Sequence, residues 1–150
     1  MRSLDLEARD RLLGEVEKTY GVKDYLQGYE LVMAGGDRVR ACTGEALEVA
    51  SCLGKVVSVG VYVAKWRKWG VILSIEGAQL IGDEMATNTI ELSREEAWRW
   101  MNGAPIHLKA WTGGKIVLGM YKGVFLGSAI VARNGVAYPQ IPKWRRTQEE

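Results

Sequence analysis

From residue 93 onward the chain admits one helix and then only short strands. Ser93-Arg94-Glu95-Glu96 is a capping box, in which the Ser93 hydroxyl and the Glu96 carboxylate each accept from the other's backbone N–H. It opens a helix over 94–102 that carries Ala97, Trp98, Trp100 and Met101. Gly103 ends that helix and Pro105 prevents its continuation. Beyond it, turn glycines at 113, 114, 123 and 135 divide strands at about 106–111, 115–121, 124–132 and 136–138. One short helix followed by a glycine-punctuated β-run predicts a small barrel.

The first half follows a different rule. Residues 3–20 read as a helix, with Ser3 as its cap, Asp5 and Glu7 at its positive end, and Leu6, Leu12, Leu13, Val16 and Tyr20 as its apolar stripe. Gly21 is placed to end it. Strands at about 29–34 and 37–42 flank Gly35-Gly36, which can supply the positive φ of a tight hairpin. Thr43 caps a helix over 44–53, with Leu47, Val49, Ala50 and Leu53 on its apolar side. Residues 56–64 are rich in β-branched side chains and strand-like. Residues 65–69 turn the chain into a strand at 70–75, and a short helix near 76–82 follows. The change of regime at 83–88 places a boundary there. The predicted fold class is α+β: an N-terminal α/β domain over 1–86 and a β pseudo-barrel over 87–150.

Charge divides along the same line. Residues 1–96 hold twelve Lys/Arg and sixteen Asp/Glu, whereas residues 97–148 hold eight Lys/Arg and not one carboxylate. An uncompensated positive field attracts polyanions and speeds their association. The acidic half then reads as the protein-facing or structural half.

Signs of catalysis are few. His107 is the one histidine, and its place in a predicted strand makes it a partly buried structural residue. Gly54-Lys55 lacks the upstream glycine and following hydroxyl of a phosphate loop. The carboxylate pairs Asp83/Glu84 and Glu95/Glu96 sit where solvated or capping roles are common. Cys42 and Cys52 have no zinc spacing and read as buried thiols. No metal, no cofactor and no catalytic residue are expected. No apolar run approaches the ~20 residues a membrane helix needs. The N-terminus lacks the apolar core of a signal peptide. A cytoplasmic protein without membrane contact is therefore expected.

Binding signals concentrate in the tail, Ala137-Tyr138-Pro139-Gln140-Ile141-Pro142-Lys143-Trp144-Arg145-Arg146. Its prolines hold it extended, its aromatics can stack on unpaired bases, and its cations can grip phosphates. Tyr138 and Trp144 have a second reading, as staples fixing the tail to the barrel. Lys143, Arg145 and Arg146 are costly to bury, which favours exposure and phosphate contact. Arg133 is near the tail in sequence, and Lys122 belongs to the same carboxylate-free run. The candidate RNA-binding residues are thus Lys122, Arg133, Tyr138, Lys143, Trp144, Arg145 and Arg146. Lys65-Trp66-Arg67-Lys68-Trp69 is a second basic-aromatic cluster, which reads either as an RNA contact or as a seam tryptophan among solvated cations.

The run Gly36-Asp37-Arg38-Val39-Arg40, the helix to Gly54, Lys55-Val56-Val57-Ser58-Val59-Gly60 and Lys65-Trp66 resemble the N-terminal domain of the Nip-seven family of ribosome assembly factors in its archaeal-type form. Ile90-Glu91-Leu92, the helix ending at Asn102-Gly103, and Gly123-Val124-Phe125-Leu126-Gly127-Ser128-Ala129-Ile130-Val131 resemble the PUA domain that follows it there. The likeness implies an α/β domain plus a PUA pseudo-barrel, and a non-catalytic role in rRNA processing and large-subunit assembly. It also implies other assembly proteins as partners, with RNA held at Arg133, Lys143, Arg145 and Arg146. Tyr138-Pro139 with Pro142-Lys143 and Arg145-Arg146 also resembles the C-terminal PUA-like region of Nop-two/Sun-type RNA cytosine methyltransferases. That likeness implies a stand-alone targeting module without the methyltransferase fold. A protein-interaction or small-ligand module is the reading from another class.

Overall fold

The computed structural model describes residues 1–82 and 86–147. Within the predicted boundary of 83–88, residues 83–85, and with them the Asp83/Glu84 pair, lie outside the described residues. The chain is α+β, with two five-stranded sheets. The first is an antiparallel meander of β1 (Arg2–Ser3), β2 (Glu30–Ala34), β3 (Arg38–Cys42), β4 (Val61–Arg67) and β5 (Gly70–Leu73) in that order. Helices α1 (Leu6–Tyr20), α2 (Gly44–Cys52) and α3 (Ile75–Gln79) accompany it.

The second sheet contains β6 (Thr89–Glu91), β7 (Ile106–His107), β8 (Ile116–Tyr121), β9 (Val124–Val131) and β10 (Val136–Pro139), in the order β6-β8-β9-β10-β7. Only β6 and β8 run parallel, so the sheet is mixed and curls as a half-barrel. Helix α4 (Arg94–Met101) covers it. The capping box at Ser93 and Glu96 forms as its spacing requires, with bonds of 3.1 and 2.9 Å.

Several expected elements shift. Helix α1 is capped by Asp5, which accepts from Ala8 N at 2.8 Å, because Ser3 is in β1 opposite Val32. Leu6 is exposed, while Leu12, Val16 and Tyr20 face the core, where each apolar side chain contributes about 1.5–3 kcal/mol. Strand β4 begins at residue 61 rather than 56. Gly60 has φ +73°, and a Cβ there would lie 2.1 Å from the Ala41 carbonyl oxygen, so the chain bends tightly against β3 before extending. The strand then runs to Arg67, leaving only Lys68 and Trp69 as the turn.

Helix α3 is shorter than the predicted 76–82, and β7 stops at His107 rather than 111. His107 is exposed, because alternation along β7 turns Ile106 inward. Cys42 is buried, and burial pushes its thiol pKa up, but Cys52 is exposed at the end of α2. No residue of α2 is fully buried. Ala46, Leu47 and Ala50 lean on Val32, Cys42 and Val59, while Val49 and Leu53 face outward.

The hydrophobic core crosses the predicted domain boundary. Leu12, Val16 and Tyr20 of α1 share a cluster with Ile116, Leu118 and Phe125 of the second sheet. The Tyr20 hydroxyl donates to the Val71 carbonyl at 2.7 Å and accepts from Leu73 N at 3.2 Å. Its one proton is thereby committed, so the Ser128 hydroxyl, 2.8 Å away, is the donor between them. Helix α3 lies between the sheets: a Cβ at Gly77 would sit 1.9 Å from the Val63 carbonyl oxygen, and one at Gly127 of β9 would sit 3.2 Å from Ile75 N. Two glycines therefore permit both sheets to close on one turn of helix.

Candidate nucleic-acid interface

The two sheets leave a cleft of about 330 Å3 between the outer face of β3–β5 and the tail after β10. On the sheet side, Arg38 pairs with Lys65 and Arg40 with Tyr62 across the β3–β4 ladder. Alternation in a strand puts Arg38 and Arg40 on one face, with buried Val39 on the other. A register shift between Val39 and Arg40 absorbs an extra β4 residue and keeps Tyr62 and Lys65 on the cleft side. Ile72, opposite Lys65 on β5, supplies an apolar floor.

The Arg40 guanidinium is fixed from behind. Its Nε donates to the Val59 carbonyl at 3.0 Å and its Nη2 to the Gly60 carbonyl at 2.6 Å, while Nη1 has no hydrogen-bond partner among the described residues. Burial pushes the Tyr62 phenol up to about 12. Asp37 and Glu76 push the same way and Arg38 and Arg67 oppose them. Tyr62 is therefore a neutral hydroxyl at physiological pH, able to donate to an anion.

Pro142 opens a short 3-10 turn, Lys143–Arg145, that forms the opposite wall. Lys143, Trp144 and Arg146 line the cleft, and Trp144 is 73% exposed. Arg146 Nε donates to the Ile141 carbonyl at 3.2 Å, and its guanidinium lies over Gly103, where a Cβ would approach Nε to 2.9 Å. Among the described residues no carboxylate forms an ion pair with Arg38, Arg40, Lys65, Lys143 or Arg146. The cleft thus presents five cations to solvent with two aromatic rings among them.

Of the seven residues singled out from sequence, the structure gathers three here: Lys143, Trp144 and Arg146. Arg145 is held by Glu76 at 2.6 Å, tying the tail to α3. Tyr138 is half-exposed on β10, but alternates with Pro139, which is the residue that meets the cleft. Arg133 sits in the β9–β10 turn, at the far end of β10 from the tail. Lys122 lies in the β8–β9 hairpin, its Nζ 5.4 Å from the Tyr121 ring centroid and its backbone N–H on Glu91.

Arg38, Arg40 and Tyr62 were not singled out as site residues. The cation-apolar-cation alternation of Arg38-Val39-Arg40 is the signal that could have found them. Trp66 of the second cluster packs on α1 rather than in a seam between the halves. Its Nε1 donates to Glu15 at 3.2 Å, and Arg11 stacks 5.1 Å from its ring centroid.

A second, open groove of about 630 Å3 lies between α4 and the β8–β9 hairpin. It is mostly apolar, with Trp98, Met101, Tyr121 and Leu126 along it. Among the described residues, no group of three His, Cys, Asp or Glu side chains gathers to hold a metal, and no helix is long and apolar enough to cross a membrane. A scan against protein-family models and a search of the curated proteins each found no match.

Proposed function

We propose that this is a non-catalytic RNA-binding protein that holds an unpaired strand in the cleft between its two sheets. The observation that carries this reading is the placement of Arg38 directly opposite Lys65, facing Lys143 and Arg146, with none of the four ion-paired among the described residues. Like charges paired across a ladder destabilise a sheet by a few tenths of a kcal/mol to about 1 kcal/mol. A polyanion in the cleft would remove that repulsion. Trp144 and Tyr62 supply stacking and hydrogen bonding for bases, which in single strands are open to both. Phosphate contacts would give most of the affinity and stacking a modest selectivity.

The likeness to the Nip-seven pattern directs the reading toward ribosomal RNA and large-subunit assembly, with assembly proteins on the more acidic N-terminal half. A stand-alone PUA module related to the methyltransferase targeting region shares the RNA and differs in pathway. A protein-interaction or small-ligand module is the second reading, favoured by the apolar groove between α4 and the β8–β9 hairpin. Fluorescence anisotropy with labelled single-stranded RNA, at two salt concentrations, separates them. The RNA reading requires a log–log salt slope near −0.7 for each phosphate contact and strong loss of binding in Arg38→Gln/Lys65→Gln/Lys143→Gln. Salt-insensitive binding, or an unchanged variant, would overturn it.

A further inference from the structure

We propose that the RNA path does not end at the cleft but continues over the end of the first sheet to a second stacking platform, Trp69, on the β4–β5 hairpin. This rests on the cleft reading and extends it to a ligand long enough to touch both platforms. Strand β4 supplies the continuity. Lys65 lines the cleft, and Arg67, two residues on and about 6.6 Å further along the strand, shares its face. Arg67 also borders a further hollow of about 420 Å3 at the sheet end, together with Lys68, Arg2 and Arg11. Cations therefore follow one another from Lys143 and Arg146 through Arg38 and Lys65 to Arg67 and Lys68.

The carboxylates along this route are engaged. Asp37 holds Arg67 at 3.0 Å, and Glu15 accepts from the Trp66 indole. Lys68 and Arg2 form no ion pair among the described residues. Trp69 is 48% exposed between Lys68 and the start of β5, and Trp66, three residues before it on β4, already carries a cation, Arg11, over its ring. A half-exposed indole alone is ordinary on a protein surface. An indole on a two-residue turn, preceded by cations that lead back to a basic cleft, is the arrangement that binds single strands without sequence readout. There a charged groove tracks the backbone and aromatic side chains take successive bases.

The test uses the full chain and labelled oligouridine of roughly 4 and roughly 16 nucleotides, lengths spanning the site sizes of small single-strand-binding folds. Lys68→Ala/Trp69→Ala should bind the long oligomer about tenfold more weakly and the short one, held in the cleft, as the parent does. Lys68→Gln alone should make the salt slope for the long oligomer shallower by about 0.7 and leave that for the short one unchanged. A photoreactive thiouridine at one end of the long strand should cross-link to the peptide containing Trp69. Thermal melting checks that both variants stay folded. If the long oligomer binds the hairpin variants as tightly as the parent while Lys143→Gln weakens it, the path stops at the cleft and this proposal is wrong, with the cleft reading intact. If neither oligomer binds the parent protein, the cleft reading fails and the extension fails with it.

Discussion

The hydroxyls of Tyr20 and Ser128 meet 2.8 Å apart in the interior, one from the first helix and the other from the second sheet. Both side chains are buried, so each bond in this network lacks competition from water. Tyr20→Phe strands the Leu73 N–H and the Ser128 hydroxyl together, and should destabilise the fold by about 1–3 kcal/mol. Ser128→Ala leaves Tyr20 its bonds to Val71 and Leu73 and should cost about 0.5–1.5 kcal/mol. Urea titration reads both. A larger loss for Ser128→Ala than for Tyr20→Phe would contradict the assigned donor directions.

The same burial predicts an alkaline limit. Desolvation raises the Tyr20 phenol from 10.0 to about 12, against weaker opposing hydrogen bonds from Ser128 and Leu73. Desolvation likewise lifts Tyr62 to about 12 and raises Tyr25 further still. Each group favours its neutral form when folded, so its contribution is complete below pH 10 and declines as pH rises through about 12. Tyrosinate absorbance should therefore show Tyr20 and Tyr25 ionising only as the fold opens. Smooth titration of all six tyrosines without loss of secondary structure would contradict this.

Arg38 and Lys65 should show opposite signs for stability and binding. Replacing either with glutamine removes a cross-strand repulsion, so the midpoint of thermal unfolding should hold or rise, by the equivalent of a few tenths of a kcal/mol. RNA affinity should fall, with the salt slope reduced by about 0.7 per residue. A variant that loses both stability and binding would mean that the cation serves the fold.

Glu76→Gln releases Arg145. That pair is partly exposed, with its side chains 43% and 34% accessible, so its loss should cost no more than about 1 kcal/mol. One cation is thereby freed beside the cleft, and RNA binding should tighten and steepen with salt by about 0.7 in slope. Unchanged binding in anisotropy would place Arg145 outside the ligand's reach.

Much of the fold was legible because it rests on local rules. The capping box at Ser93 and Glu96, the cap at Thr43 and the Gly35-Gly36 hairpin are all set within four residues. Legibility failed where a distant partner decides the outcome. The valines at 56, 57 and 59 are strand formers by propensity, yet Gly60 must press on Ala41 and residues 59–60 must turn their carbonyls to Arg40. The cleft was half visible for the same reason. Lys143, Trp144 and Arg146 stood out in a carboxylate-free tail, whereas Arg38, Arg40 and Tyr62 belong to a half of net negative charge. Only the meeting of the two sheets makes them neighbours.

Gly77→Ala tests that meeting directly. Its Cβ would fall 1.9 Å from a backbone oxygen of β4, where no rotamer change can relieve it. The loss should reach about 3 kcal/mol or more, at the upper end of overpacking effects. A neutral substitution in chemical denaturation would show that α3 can lift away from β4.

Helix α3 consequently acts as a caliper. Its buried Gly77 and Ala78 bring almost no side-chain volume, so the thickness of one bare helical turn fixes how far apart the arginines of β3 and the tail beyond β10 can stand. The gauge of the cleft is thereby recorded in the residues of least volume in the chain, and substitutions that enlarge them would change its width from positions that do not line it.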